Sequence, residues 1–245
     1  MAHDCCHLPD LSLPEGARKI VLAGNPNVGK SAIFHALTGI YVEVSNYPGT
    51  TVDISAGKMG ENGVYDTPGV YGISAFNEEE RVAREMILQA DAIINVVDAA
   101  HLDRDLFLTL QLIDMGFPLV VALNMLDEAT GHGMRIDLKQ LSDELGVPVI
   151  PTVAVRREGI DLLKGAIPQA RQGKPTEAII ARIESGIPRA DGVMILEDDE
   201  ATCALYKLRP AGSREEIYRL RRERADRIAE RVVTESSQGV NLATR

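Results

Sequence analysis

The sequence contains no tryptophan, and aromatic residues make up only 4% of its 245 positions. A core must therefore be filled by Leu, Ile, Val and Ala. Apolar residues account for 45% and charged residues for 25%, ordinary globular values that exclude a disordered or fibrous chain. The length suffices for one sizeable domain, alone or with a small appendage. No apolar run approaches the roughly 18–20 residues that span a bilayer. The N-terminus has no basic stretch followed by an apolar one, so the sequence as given reads as neither secreted nor membrane-spanning. A basic excess is also missing. The net charge of −10 disfavours a general nucleic-acid binder, and no nucleic-acid partner is expected. Cysteines are few and oddly numbered (Cys5, Cys6 and Cys203), which gives no disulfide framework and suits a reducing compartment. His3, Cys5, Cys6 and His7 form a small cluster of soft-metal ligand types. Adjacent cysteines rarely close a structural site without more distant ligands, so a loose tail is the better reading.

The charge is unevenly spread. Residues 1–171 carry 13 Lys+Arg against 23 Asp+Glu, whereas residues 172–245 carry 13 of each. This shift sets the expected division: a tail over 1–16, a main domain over 17–171, a helical domain over 172–236 and a linker or disordered tail over 237–245.

Along the main domain, apolar strands alternate with helices. Residues 18–23 read as a buried strand running into Gly24, and 29–38 as a helix with Ile33, Phe34 and Leu37 inward. Residues 39–50 lack a clear period and read as a loop. Residues 51–58 alternate like a half-exposed strand, and a very short strand leads to Asp66. Asn77-Glu-Glu-Glu80 has the form of a capping box opening a helix to about Gln89. Strands follow at 92–97, 118–123 and 147–151, with helices at 102–115, 137–145 and 159–170. Apolar strands alternating with helices imply an α/β fold with a mainly parallel sheet. Beyond Gly173 the pattern is helical. Ser213-Arg-Glu-Glu216 again has the capping-box form, with Ile217, Leu220, Ile228 and Val232 on one face. Glu215–Arg219 and Glu223–Arg227 are spaced as helical ion pairs, and the many arginines, matched by acids, read as a solvated face.

The strongest motif is Gly24-Asn-Pro-Asn-Val-Gly-Lys-Ser31, a G-x4-G-K-S loop between a buried strand and a helix. Its glycines let backbone N–H groups turn toward a phosphate, and the helix N-terminus adds a positive dipole end. Lys30 would reach β- and γ-phosphates, and the Ser31 hydroxyl would hold Mg²⁺. Asn25, Asn27, Val28, Gly29 and Ala32 complete the expected phosphate-binding set. Asp66-Thr-Pro-Gly69 follows a strand; Asp66 can serve Mg²⁺ and the Gly69 N–H a γ-phosphate. Asn124-Met-Leu-Asp127 ends another strand. The Asp127 carboxylate can accept both N1–H and the exocyclic amine of guanine, a pair adenine lacks, and Met125 can cover the base face. A backbone N–H from Val153, Ala154 or Val155 could meet guanine O6. Thr50 and Thr51 lie in the intervening loop, where Thr51 is the better candidate to complete the Mg²⁺ shell. Lys30, Thr51 and Gly69 are thus the catalytic candidates. His35, His101 and His132 read as surface or helix residues, and Cys203 as a small packing residue.

In this order the elements describe a P-loop GTPase fold followed by a small helical domain. The chain resembles the cytoplasmic G domain of FeoB, the prokaryotic ferrous-iron transporter, through the phosphate loop, Val44-Ser-Asn-Tyr-Pro-Gly-Thr-Thr-Val52, Asp66-Thr-Pro-Gly-Val-Tyr-Gly-Ile-Ser74 and Asn124-Met-Leu-Asp127. The resemblance covers residues 17–171 well and the remainder only as a helical appendage. It implies GTP and GDP as ligands, Mg²⁺, and K⁺ activation through Asn27, which could equally be a turn former. It implies switches at 41–51 and 66–80, and a helical segment that influences GDP release. It further implies a permease domain on the same or a partner polypeptide, oligomers formed through it, and a place on the cytoplasmic side of the inner membrane as the soluble part of a longer protein. Val70 stands where a water-positioning Gln would help, so slow hydrolysis is expected. Two other readings stay open: a ribosome-assembly or tRNA-modifying GTPase, and a nucleotide-dependent docking module with little turnover.

Overall fold

The computed structural model describes residues 8–9, 11–39, 42–74 and 77–235. The cluster of His3, Cys5, Cys6 and His7 and the tail over 237–245 lie outside them. The strands are β1 (Lys19–Gly24), β2 (Val42–Asn46), β3 (Asp53–Met59), β4 (Asn62–Asp66), β5 (Ala92–Asp98), β6 (Leu119–Asn124), β7 (Met134–Ile136), β8 (Val149–Pro151) and β9 (Val233–Glu235). The helices are α1 (Lys30–Thr38), α2 (Glu78–Leu88), α3 (Leu102–Met115), α4 (Leu126–Gly131), α5 (Leu138–Leu145), α6 (Ile160–Ala166), α7 (Glu177–Ile180), α8 (Arg189–Leu196), α9 (Glu200–Leu205) and α10 (Arg214–Val232).

Seven strands form one sheet in the order β2-β3-β4-β1-β5-β6-β8. The β2–β3 and β3–β4 pairs are antiparallel, and the remaining pairs are parallel. Strand β1 shows why the sheet is two-sided. Ile20 and Leu22 enter one apolar cluster with Phe34, Ile94 and Leu163, while Val21 and Ala23 enter another with Ile93, Leu106 and Leu110. Successive residues of a strand face opposite sides, so a strand buried on both faces has to be apolar throughout. The register sets Leu22 beside Asp66 and Ile94, and Asp98 beside Asn124, which brings the motif-bearing strand ends to one edge. In open α/β sheets that carboxyl edge is where ligands bind.

Local signals explain most boundaries. The Asn77 side chain accepts the Glu80 amide at 2.8 Å and starts α2. Gly116 and Gly146, both left-handed, end α3 and α5. The sheet departs from expectation at 39–50, where β2 forms an edge strand whose side chains are mostly exposed. Val42 and Val44 alternate with Glu43 and Ser45, but the run is short, Val44 is exposed, and the strand's pairing comes entirely from β3. The last helix of the main domain is shorter than expected, because Pro168 diverts residues 167–169 into a 3₁₀ turn. Helix α4 and strand β7 were not foreseen.

Helix α10 differs more. Ser213 makes no side-chain cap; its hydroxyl donates to the Leu196 carbonyl at 2.7 Å, and the Arg214 amide goes to Asp198. Arg219 pairs forward with Glu223 at 2.7 Å, not back with Glu215. Nor are the arginines all solvated: Arg221 is 0% exposed. Its Nε donates to Asp114 Oδ2 at 3.1 Å, and Nη1 lies 2.7 Å from Glu197 Oε1, off the hydrogen-bonding direction, so that contact is one of charge. The guanidinium also lies 5.3 Å from the Phe107 ring centre. This triad joins α10 to α3 and to the end of α8, and β9 returns to pair with β7. Burial pushes the Glu197 carboxyl up, and Arg221 opposes that shift.

Removing one partner of a buried ionic group leaves the others uncompensated. Arg221→Ala should therefore lower stability by about 3–5 kcal/mol in urea unfolding. A loss near that of an exposed substitution, about 0.5 kcal/mol, would contradict this account of the triad.

Candidate nucleotide-binding site

The loop between β1 and α1 lies at the carboxyl edge of the sheet. Asn27 adopts φ of 65° and Gly29 φ of 88°. A Cβ on Gly29 would come within 2.3 Å of Asn124 Nδ2, so the close approach of these two loops requires glycine there. Lys30 is 7% exposed, and its Nζ donates to the Asn25 carbonyl at 3.0 Å. Burial lowers its ammonium pKa, while Asp66 and Asp105 act to raise it. Asn25 and Val28 are both buried, at 2% and 1% exposure. Val28 packs in the apolar core, and the Asn25 amide donates to Asp105 Oδ1 at 2.6 Å. Neither side chain turns toward the cleft, so in this state both can serve a phosphate only through the backbone.

Ser31 Oγ donates to Asp66 Oδ2 at 2.8 Å. The other oxygen, Asp66 Oδ1, is buried without a hydrogen-bond partner. Burial raises the Asp66 pKa, opposed by Ser31, Lys30 and His35. These groups face a cleft of about 980 Å³ whose walls include Asn27, Thr51, Asp53, Gly69 and Glu78. A Cβ on Gly69 would come within 2.7 Å of Pro26 Cα, so the two phosphate-facing loops meet backbone on backbone. The Val70 amide donates to the Gly24 carbonyl at 3.1 Å, and its side chain is buried at 1% exposure. The two threonines differ in placement. Thr50 donates to the Tyr47 carbonyl at 2.9 Å and shapes its own turn. Thr51 is exposed, and its hydroxyl reaches Glu78 at 3.4 Å.

At the other end, Asn124 ties three loops together. Its Nδ2 donates to the Val28 carbonyl at 2.9 Å, and its Oδ1 accepts the Ala154 amide at 3.0 Å and the Thr152 hydroxyl at 3.2 Å. Met125 has φ of 58° and starts α4, which carries Asp127 in its first turn. Asp127 Oδ2 is 3.1 Å from Arg156 Nη2. Among the three base-loop residues, the Val153 amide donates to Glu158 and the Ala154 amide to Asn124, while Val155 is 83% exposed.

The structure therefore gathers Asn27, Lys30, Ser31, Thr51, Asp66 and Gly69 around one cleft, and Asn124, Met125 and Asp127 beside the 153–155 loop. Sequence reasoning missed Asp105, Glu78 and Arg156. Asp105 and Glu78 each sit in the first turn of a helix, where an acid is ordinary. Arg156 carries no motif. Among the described residues, no group of three or more His, Cys, Asp or Glu side chains is placed to hold a metal ion.

A sequence family described as Ferrous iron transport protein B matches residues 18–167. The Fe(2+) transporter FeoB of Escherichia coli (strain K12) is 42% identical over 170 residues, covering 65% of this chain and 22% of that protein. The Fe(2+) transporter FeoB of Salmonella typhimurium is 44% identical over 158 residues, covering 60% and 20% respectively. The chain thus spans about a fifth of the length of these relatives. The cytosolic domain of the T. maritima FeoB iron transporter in its apo form superposes with a TM-score of 0.79 at 28% identity, covering 89% of this chain and 100% of that one. A GDP-bound mutant of the S. thermophilus FeoB G-domain does so with a TM-score of 0.76 at 30% identity and the same coverage. With the family matched across most of its length and the G-domain fold shared along the same stretch, the chain belongs to the ferrous iron transport protein B family, FeoB.

Proposed function

We propose that this chain binds GTP and GDP and slowly hydrolyses GTP, as the GTPase unit that regulates ferrous iron uptake by a FeoB-type transporter. It would act at the cytoplasmic side of the inner membrane, with the permease domain of the same or a partner polypeptide as its partner and oligomers formed through that domain. No helix among the described residues is long and apolar enough to cross a membrane.

The observation that carries this reading is the Ser31–Asp66 pair beside Lys30. Asp66 Oδ1 is a buried carboxylate oxygen with no donor, and an oxygen pair of this kind suits a hard divalent cation. Ser31 and Asp66 would hold Mg²⁺, joined by Thr51 once its hydroxyl leaves Glu78. Asn27, on the cleft wall with its side chain exposed, would offer its amide oxygen to K⁺. The chemistry that these cations supply when bound is neutralisation of phosphate charge. Lys30 would meet the β- and γ-phosphates, which would replace the Asn25 carbonyl as partners of its Nζ. The Gly69 amide would contact the γ-phosphate. Asp127 would read guanine by accepting its two N–H donors, with Met125 over the base face. Val70 cannot orient a water by hydrogen bonding, and its burial keeps it from the cleft. Turnover would accordingly be slow and rest on backbone groups and cations.

Two outcomes follow. GTP turnover with Mg²⁺ should be faster in K⁺ than in Na⁺ at equal ionic strength, absent with ATP, and lose its K⁺ response in Asn27→Ala. Equal rates in K⁺ and Na⁺ would remove Asn27 from the mechanism, and tight GTP binding without turnover would leave a docking module. The second outcome concerns Asp66, whose folded pKa lies above its unfolded value. The stability it lends the ligand-free protein is complete below the unfolded pKa and lost as pH rises through the folded one. At neutral pH the raised pKa therefore costs stability. Asp66→Asn should abolish Mg²⁺-dependent turnover yet raise the urea midpoint of the ligand-free protein at pH 7. The gain should shrink as pH falls toward the ordinary carboxylate range. An Asp66→Asn protein no more stable than the parent would contradict this picture of the site.

A further inference from the structure

Asp105 does not line the cleft, yet the phosphate loop rests on it. An acid in the first turn of a helix ordinarily faces solvent and complements the dipole. Asp105 is instead 2% exposed. Its Oδ1 accepts the Asn25 amide at 2.6 Å and Arg104 Nε at 2.8 Å, and its Oδ2 accepts the Asp98 backbone N–H at 2.9 Å. One carboxylate thus joins the phosphate loop, the end of β5 and the start of α3. The Asn25 amide oxygen is buried without a partner, so within the described contacts its side chain is oriented by Asp105 alone. The Asn25 carbonyl then receives Lys30 Nζ, which links Asp105 to the cation of the loop through one residue. A second strut runs in parallel: Thr109 donates to Asn95 at 2.6 Å, and Asn95 donates to the Ala23 carbonyl at 3.3 Å, one residue before the loop.

We propose that Asp105 is a positioning residue for phosphate binding, holding residues 25–29 in their bound shape through the Asn25 side chain. The inference rests on the nucleotide-binding reading above and adds a residue to it. Charge-assisted hydrogen bonds inside a protein are stronger than neutral ones, and a loop fixed beforehand loses less freedom when its ligand arrives. Arg104, bonded to the same oxygen, offsets the negative charge that would otherwise repel a phosphate.

The test uses the full chain with Asp105→Ala, Asp105→Asn, Asn25→Ala and the Asp105→Ala/Asn25→Ala double variant. Fluorescent GDP binding, amide hydrogen exchange of residues 24–31 without nucleotide, and thermal unfolding are measured for each. Asp105→Ala should weaken GDP binding about ten-fold, the effect of losing one charge-assisted bond. It should speed exchange in residues 24–31 while the amides of β5 and β6 keep their protection. Asp105→Asn, which keeps one acceptor oxygen, should recover most of the affinity. The double variant should be little worse than either single one, because both remove the same bond. Folded Asp105→Ala with GDP affinity within two-fold of the parent, or additive losses in the double variant, would overturn the proposal. If Asp105→Ala does not fold, Asn25→Ala decides, since it leaves the other bonds of Asp105 in place. If the parent binds no guanine nucleotide, the functional reading falls, and the exchange of residues 24–31 still decides this one: faster exchange sustains it, and unchanged exchange ends it.

Discussion

Helix α3 lies almost wholly inside the protein and yet carries Asp105, Thr109, Gln111 and Asp114 at no more than 2% exposure. A buried polar group without a partner is costly, so each of these side chains dictates what packs beside it. Asp105 and Thr109 are answered by the loop and strand that begin the phosphate site. Gln111 accepts the Ile73 amide from the segment after Asp66 and donates to Glu197. Asp114 meets Arg221 and the Thr176 amide. One helix thus fixes the phosphate loop at its start, a candidate switch at its middle and the C-terminal helices at its end. Ser74 extends the middle contact, donating to Glu197 and accepting from Tyr218 on α10.

The cleft reads as a site whose charges wait for opposite partners. Lys30 is an ammonium depressed by burial, and Asp66 a carboxylate raised by it. In each case fixed neighbours oppose the effect of burial and favour the charged form: Asp66 and Asp105 for Lys30, and Ser31, Lys30 and His35 for Asp66. The base end works by hydrogen bonds. Asn124 spans three loops and so couples the phosphate loop to the 152–154 loop, and the Asp127–Arg156 pair joins the start of α4 to the 154–156 turn.

Much of this was legible in the chain because it depends on neighbours in sequence. The apolar strands, the glycine-rich loop between β1 and α1 and the Asn77 cap are local, and the fold repeats them. What escaped notice depends on partners that no single element's own pattern reveals. Strand β2 is defined by β3, Arg221 is buried by Asp114 and Glu197 from 107 and 24 positions away, and Ser213 finds the Leu196 carbonyl before it can cap its own helix. Asp105 looked like an ordinary first-turn acid, and only its 80-residue reach to Asn25 sets it apart.

The central claim is that the edge formed by β1, β4 and β6 reads a guanine nucleotide through its base and its phosphates together. Calorimetric titration of the chain with GDP and with ADP, each with and without Mg²⁺, tests it directly. The account predicts saturable one-to-one binding of GDP with no measurable heat from ADP. Comparable binding of GDP and ADP, or of neither, would contradict it.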